Sequence, residues 1–173
     1  SHGVPFMILE AIRLGLDREL LALEERQWGL TRLDEFLSVL HPGRLLDERL
    51  ALLTAAQRQL FLVVWFLELP ITDDDIPLLG SDAGALAELE RLAFLQSTRA
   101  GWTVAHDAIG EAIEAIAPPE EHAQAHQIAG HLVRRRGESR ALLAQATAHF
   151  LDAGAMDDVV TNATLWLRSC RDG

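Results

Sequence analysis

Apolar residues recur along most of this chain at the three- and four-residue steps of an amphipathic helix, and one short stretch instead has the composition of a strand pair. The spacing predicts a helix over Phe6 to Leu23, with Glu10, Arg13, Asp17 and Arg18 on its outer face. Pro5 stands at its start, where a missing amide costs nothing. Gln27 to Arg32 reads as a connector, and Leu33 to Leu40 as a short helix closed by the breaker His41-Pro42-Gly43, where a first domain boundary is placed. Leu45 to Leu53 is expected to be helical. Thr54 is the expected N-cap of Ala55 to Leu69, whose centre LFLVVWFL is apolar on every side and must be buried.

Beyond Pro70, Asp73 or Asp74 is expected to cap a short helix through Leu79, and Ala83 to Ala93 forms another, with Leu86, Leu89, Leu92 and Ala93 along one face. Leu95 to Thr98 and Trp102 to Val104 flank the turn Ala100-Gly101 and make a small hairpin. Asp107 is then the expected N-cap of a helix carrying Ile109, Ala112, Ile113 and Ile116 at i, i+3, i+4 and i+7, which leaves His106 at the strand-to-helix junction. Three helices followed by a two-stranded wing make a winged helix. Pro118 or Pro119 with Glu120 and Glu121 opens the next helix, which runs to Arg136 and stops at Gly137. Glu138 to Leu151 and Met156 to Leu167 form a helical hairpin around Ala153-Gly154-Ala155. The expected fold is mostly α, with one two-stranded wing and antiparallel helical hairpins after it.

Composition changes this picture mainly by exclusion. With 173 residues, 49% of them hydrophobic, the chain can build real cores. Its longest apolar run, Leu60 to Leu67, is eight residues, against the roughly 20 that a membrane span needs. No membrane partner is expected. Cys170 is the only cysteine and no signal-like segment opens the chain, so a reducing cytoplasm is the expected location. The net charge of −11 arises from 26 acidic residues against 15 basic ones, all arginine, which disfavours nucleic acid. The third helix, Ala83 to Ala93, carries Glu88 and Glu90 beside Arg91, the reverse of what base edges and phosphates attract.

Candidate chemistry is sparse. Asp73, Asp74 and Asp75 lack the loop spacing and distal carboxylate of a calcium cage. His122 and His126 share a helix face, with His131 further along, but position 123 is alanine where a zinc-protease helix needs glutamate. No metal site is expected. Arg134, Arg135 and Arg136 suit the negative end of a helix dipole. The chain holds no GxxxxGK[ST] phosphate loop, no lysine and no nucleophile constellation, so no catalytic residue is assigned and it reads as non-enzymatic.

Four features in order carry a resemblance: Gly3-Val4-Pro5 before an apolar helix, the winged helix, Ala105-His106-Asp107 at its end, and the helical pair AHFLDAGAMDDVVTNATLWL. Together they resemble the STAND ATPases, signal-transduction ATPases with numerous domains that include large bacterial LuxR-type regulators. The resemblance implies that residues 1–43 belong to the C-terminal helical lid of the ATPase module, 44–117 to the winged-helix domain and 118–173 to the start of tetratricopeptide-like repeats. It further implies that Gly3 and Pro5 form a nucleotide-binding GxP motif whose Pro5 packs near the adenine, and that His106 reaches the nucleotide phosphates, in the intact parent only. ADP or ATP is then a cofactor of the parent and not of this chain alone. The family usually has a larger hydrophobic residue than Ala105 before the His-Asp pair. The implied role is a non-catalytic regulatory module that closes over ADP in the off state and relays inducer binding. Its partners would be the upstream nucleotide-binding domain and the downstream repeats. Self-association is expected through an apolar face around Phe150, Val159, Val160, Leu165 and Trp166. An autonomous DNA-binding winged-helix regulator and a plain helical interaction scaffold are the alternatives.

Overall fold

A computed structural model describes residues 8, 11–16, 18–24, 27–39, 50, 51 and 53–171. Backbone contacts divide the chain into two units, Ser1–Leu53 and Thr54–Gly173. Gly3, Pro5, the His41-Pro42-Gly43 boundary and most of the expected Leu45 to Leu53 helix lie outside the described residues.

In the first unit the helix occupies residues 11–16 and does not continue to Leu23. Glu19 adopts the left-handed conformation (φ 56°), and Leu21–Glu24 leaves the turn as strand β1. Its antiparallel partner β2, Gln27–Leu30, occupies the expected connector, with Leu21 opposite Leu30 and Leu23 opposite Trp28. The described residues therefore carry a second hairpin besides the expected one. LALE has no strong preference against a helix, so pairing with QWGL and the turn decide the outcome. The turn is stapled by Thr31, whose N–H donates to Leu20 O at 2.9 Å and whose hydroxyl donates to Glu19 O at 2.8 Å. Helix α1, Leu33–Val39, follows as expected. Gly15 permits this closure, since a Cβ there would stand 2.6 Å from Leu21 Cδ1 and 2.8 Å from Phe36 Cε2.

The second unit begins with α2, Ala55–Leu67. Thr54 caps it in a reciprocal box: Gln57 N–H donates to the Thr54 hydroxyl at 3.2 Å, and Thr54 N–H to Gln57 Oε1 at 3.0 Å. Leu60 through Val64 and Leu67 are buried, as an all-apolar helix centre requires. After Pro70, Ile71 exchanges two backbone hydrogen bonds of 2.9 Å with Trp102, adding one rung to the later hairpin. Asp73–Leu78 is a 3-10 helix whose N-cap is Thr72, not Asp73 or Asp74. Asp75 takes the reciprocal place in that cap, because its carboxylate reaches back to the Thr72 amide and hydroxyl. Asp82 caps α3, Ala83–Arg91, and β3, Leu95–Thr98, pairs antiparallel with β4, Gly101–Val104. Gly101 (φ 126°) is what lets β4 begin beside Ile71, since a Cβ would sit 2.0 Å from Ile71 O. Phe94 meets Phe61 edge-on at 6.2 Å and anchors the hairpin on α2.

Four helices complete the unit: α4, Asp107–Ile116; α5, Pro119–Arg135; α6, Arg140–Asp152; and α7, Met156–Arg171. Helix α5 packs on both α2 and α6, and α6 on α7. Gly130 of α5 makes room for the Phe150 ring of α6, and buried Asn162 of α7 donates to Leu143 O at 2.6 Å and Thr147 Oγ1 at 2.7 Å. Phe150 is thus fully buried and does not belong to the open apolar face expected there, whereas Val160 and Trp166 of that set are exposed. The described chain is mostly helical with two small antiparallel sheets. Among the described residues no helix is long and apolar enough to cross a membrane.

Candidate functional site

The sequence points to His106, and its geometry follows from the end of the β3–β4 hairpin. Strand β4 leaves the sheet with Ala105 N–H still donating to Phe94 O at 3.0 Å, and His106 continues extended (φ −158°, ψ 133°). Helical geometry starts at Asp107, so the N-cap is His106 and not Asp107 as expected. The His106 carbonyl accepts from Ile109 N–H at 3.0 Å, and its Nδ1 accepts from Ala108 N–H at 3.3 Å. An accepting Nδ1 carries no proton, so the half-buried ring holds its proton on Nε2. Asp107, in the first turn, complements the positive end of the helix dipole.

The junction is held against α2 by Trp65. Its ring fills the space over Gly110, where a Cβ would come within 2.3 Å of the ring, and its Nε1–H donates to Glu114 at 2.8 Å. A groove of about 330 Å³ opens alongside, between Trp65, Glu68, Leu69, Thr103, Val104 and Asp107. Among the described residues its lining contains two carboxylates and no cation. An anion at this junction therefore depends on helix amides and the His106 ring, or on charge supplied from elsewhere.

Three histidines gather where α2, α5 and α6 meet. Phe66 stacks on His126 with ring centroids 4.0 Å apart and meets His122 edge-on at 5.6 Å. His126 Nδ1 lies 3.1 Å from His149 Nδ1, so one ring donates and the other accepts. His122 Nε2 lies 2.9 Å from Glu114 O. Burial is the main cause that pushes both His126 and His149 below the ordinary histidine range, and the neighbouring imidazole adds to it for His149. The pair is therefore neutral at pH 7. His122 and His126 share a face, as their spacing predicts, but His131 instead faces Asp158 at 3.9 Å and the Phe150 ring. Among the described residues no three His, Cys, Asp or Glu groups are arranged to hold a metal ion.

Two ion pairs join α5 to the elements before it. Arg58 of α2 grips Glu121 through two bonds of 2.7 and 2.6 Å. Arg136, just past α5, donates to Asp75 Oδ2 at 2.9 Å and to Pro70 O at 2.6 Å. Its place in a cationic helix end was legible, but its partner 61 residues away was not. Burial pushes the Asp75 carboxyl upward, yet the bonds from Thr72 and Arg136 outweigh it and hold the group below the usual carboxylate range. On α3, Arg91 is held by Glu88 of the same helix at 2.8 and 2.7 Å. No family model, curated protein or solved structure matches the chain.

Proposed function

We propose that the chain is a non-catalytic regulatory module of a STAND-type signal-transduction ATPase: a winged helix with the start of a tetratricopeptide-like array, which in its parent closes over ADP and relays inducer binding. The observation that carries this reading is His106 as the N-cap of α4, its Nδ1 accepting from the Ala108 amide at the helix start. A helix start suits a phosphate oxygen through its positive dipole end, and His106 caps the start of this ten-residue helix. The order helix, single bridge strand, 3-10 helix, helix and hairpin supports a winged helix. The successive packing of α5, α6 and α7 supports a repeat array. The absence of lysine and of a phosphate loop from the sequence supports a chain that does no nucleotide chemistry alone. In this reading the exposed Met156, Val160 and Leu167 of α7 meet the next repeat of the parent, and the site of action is the cytoplasm.

The test is His106→Ala in the parent. Losing the hydrogen bond weakens the closed state by about 1–3 kcal/mol, so ADP release measured by stopped flow with a fluorescent nucleotide should speed up about five- to 150-fold. An unchanged off-rate in a folded variant reduces His106 to a structural cap. The alternative of a DNA reader is disfavoured by the Arg91–Glu88 pair, which occupies the only cation of α3. Binding of DNA by the chain with a steep salt dependence would reverse that judgement.

A further inference from the structure

Helix α2 carries one polar side chain that its surroundings do not satisfy. Both Oε1 and Nε2 of Gln59 are buried and neither has a hydrogen-bond partner among the described residues. A carboxamide has donor and acceptor on one planar edge, so Gln59 leaves a matched pair of groups unused. Both atoms are closed off from solvent in this rotamer, so bringing that edge to open space takes a step to another staggered rotamer about χ1 or χ2.

That open space is present. Gln59 lines a groove of about 490 Å³ bounded by α2, the Leu78 to Ser81 turn and α5. This is within the range of about 300–1,000 Å³ typical of small-molecule sites. Leu60, Val63, Leu79 and Ile128 give it apolar walls. Among the described residues Glu121 is the only charged one on its lining, and Arg58 already holds that carboxylate at 2.6 and 2.7 Å. The groove thus offers a largely apolar, electrostatically balanced container, with the exposed Gln124 carboxamide on its lining and the unsatisfied Gln59 amide buried just behind it. A charged ligand has no counter-charge here, and a purely apolar one leaves the amide unmatched.

We propose that this groove binds a small neutral ligand that has a compact aliphatic body and a cis-amide edge, a lactam or cyclic imide, with Gln59 as the residue that reads it. A cis-amide places its N–H and C=O side by side and closes two antiparallel hydrogen bonds with a carboxamide. A trans peptide bond points the two groups opposite ways and makes only one of them. Because the walls come from α2 and α5, occupancy joins the winged-helix half of the unit to the first helix after it. The site is separate from His106 and does not depend on a nucleotide.

The probe is δ-valerolactam, titrated into the full chain and followed by methyl NMR, with N-methyl-δ-valerolactam as the control that lacks the N–H. The lactam should give saturable shifts at the methyls of Leu60, Val63, Leu79 and Ile128, with a dissociation constant on the order of 1 mM for so small a ligand. The N-methyl analogue and the Gln59→Leu variant should each weaken binding about tenfold, as expected for loss of the paired bonds. Gln59→Leu should also raise the urea midpoint, because it removes an orphaned buried amide. Equal binding of the two lactams, full binding to Gln59→Leu, or no saturable shift at these methyls overturns the proposal. If Gln59→Leu does not fold, the comparison of the two lactams on the unaltered chain decides it.

Discussion

Asp75→Ala is the substitution expected to loosen the second unit most for its size. The carboxylate is 4% exposed and accepts three hydrogen bonds of 2.9 Å, from the Thr72 amide, the Thr72 hydroxyl and the Arg136 guanidinium. Removing it deprives the 3-10 helix of its cap and leaves Arg136 with Pro70 O as its remaining bond among these. Breaking a buried ion pair from one side costs about 3–5 kcal/mol. Arg136 keeps 21% of its side-chain surface in water, which places the expected loss at the lower end, about 3 kcal/mol. With an m value of about 1.5–2 kcal/mol/M, the urea midpoint should fall by about 1.5–2 M.

Arg136→Met supplies the second arm of a double-mutant cycle. It should cost about 2 kcal/mol, and the double variant should lose less than the sum, with a coupling of about 1–2 kcal/mol between the two sites. The pH dependence gives an independent check. The folded Asp75 pKa is lowered, so its contribution is complete above the unfolded value of about 3.9 and is lost as pH falls through the folded value. The gap between the unaltered chain and Asp75→Ala should therefore narrow in acid. A loss below about 1 kcal/mol at pH 7, or zero coupling to Arg136, would refute the reading of this pair as a stabilising tie between the 3-10 helix and the end of α5.

Two further outcomes follow from the packing of α5 on its neighbours. His126 and His149 have folded pKa values below the unfolded value of about 6.5, with Glu68, Glu114, Asp152 and His122 as the charged or titratable groups around them. The unfolded chain then takes up protons first, so stability should be complete above about pH 6.5 and decline below it; urea midpoints from pH 8 to 5 should show the slope, and His149→Met should reduce it. Gly130→Ala would bring a Cβ within 2.6 Å of Phe150 Cε1, and about 1–3 kcal/mol of overpacking set against up to about 1 kcal/mol of helix propensity leaves a net loss. Phe150→Leu in the same chain should recover part of it, and a Gly130→Ala variant as stable as the original would mean that α5 and α6 separate without cost.

What the sequence discloses here depends on how far apart the cooperating residues are. Thr54 and Gln57, Asp82 and the α3 amides, and the turn between β3 and β4 all act within a few positions, so their elements are legible from local signals. The same local reading goes astray at Leu21 to Leu30, because nothing inside LALE favours a strand until QWGL lies beside it. It assigns the cap of α4 to Asp107 because aspartate is the stronger capping residue, while the extended backbone that enters from β4 ends one residue earlier and gives the cap to His106. At the three aspartates the local reading finds a cap and misses the reason that Asp75 is buried, which is an arginine on the far side of three intervening helices and a hairpin. His126 and His149, Arg58 and Glu121, and Gln59 with the Leu78 to Ser81 turn are likewise ordinary residues in their own segments. Each acquires its character only when α5 lies against α2 and α6. A histidine at the strand-to-helix junction is thus the part of the candidate chemistry that a short stretch can announce, whereas its role as the cap and the groove at Gln59 are properties of the folded chain.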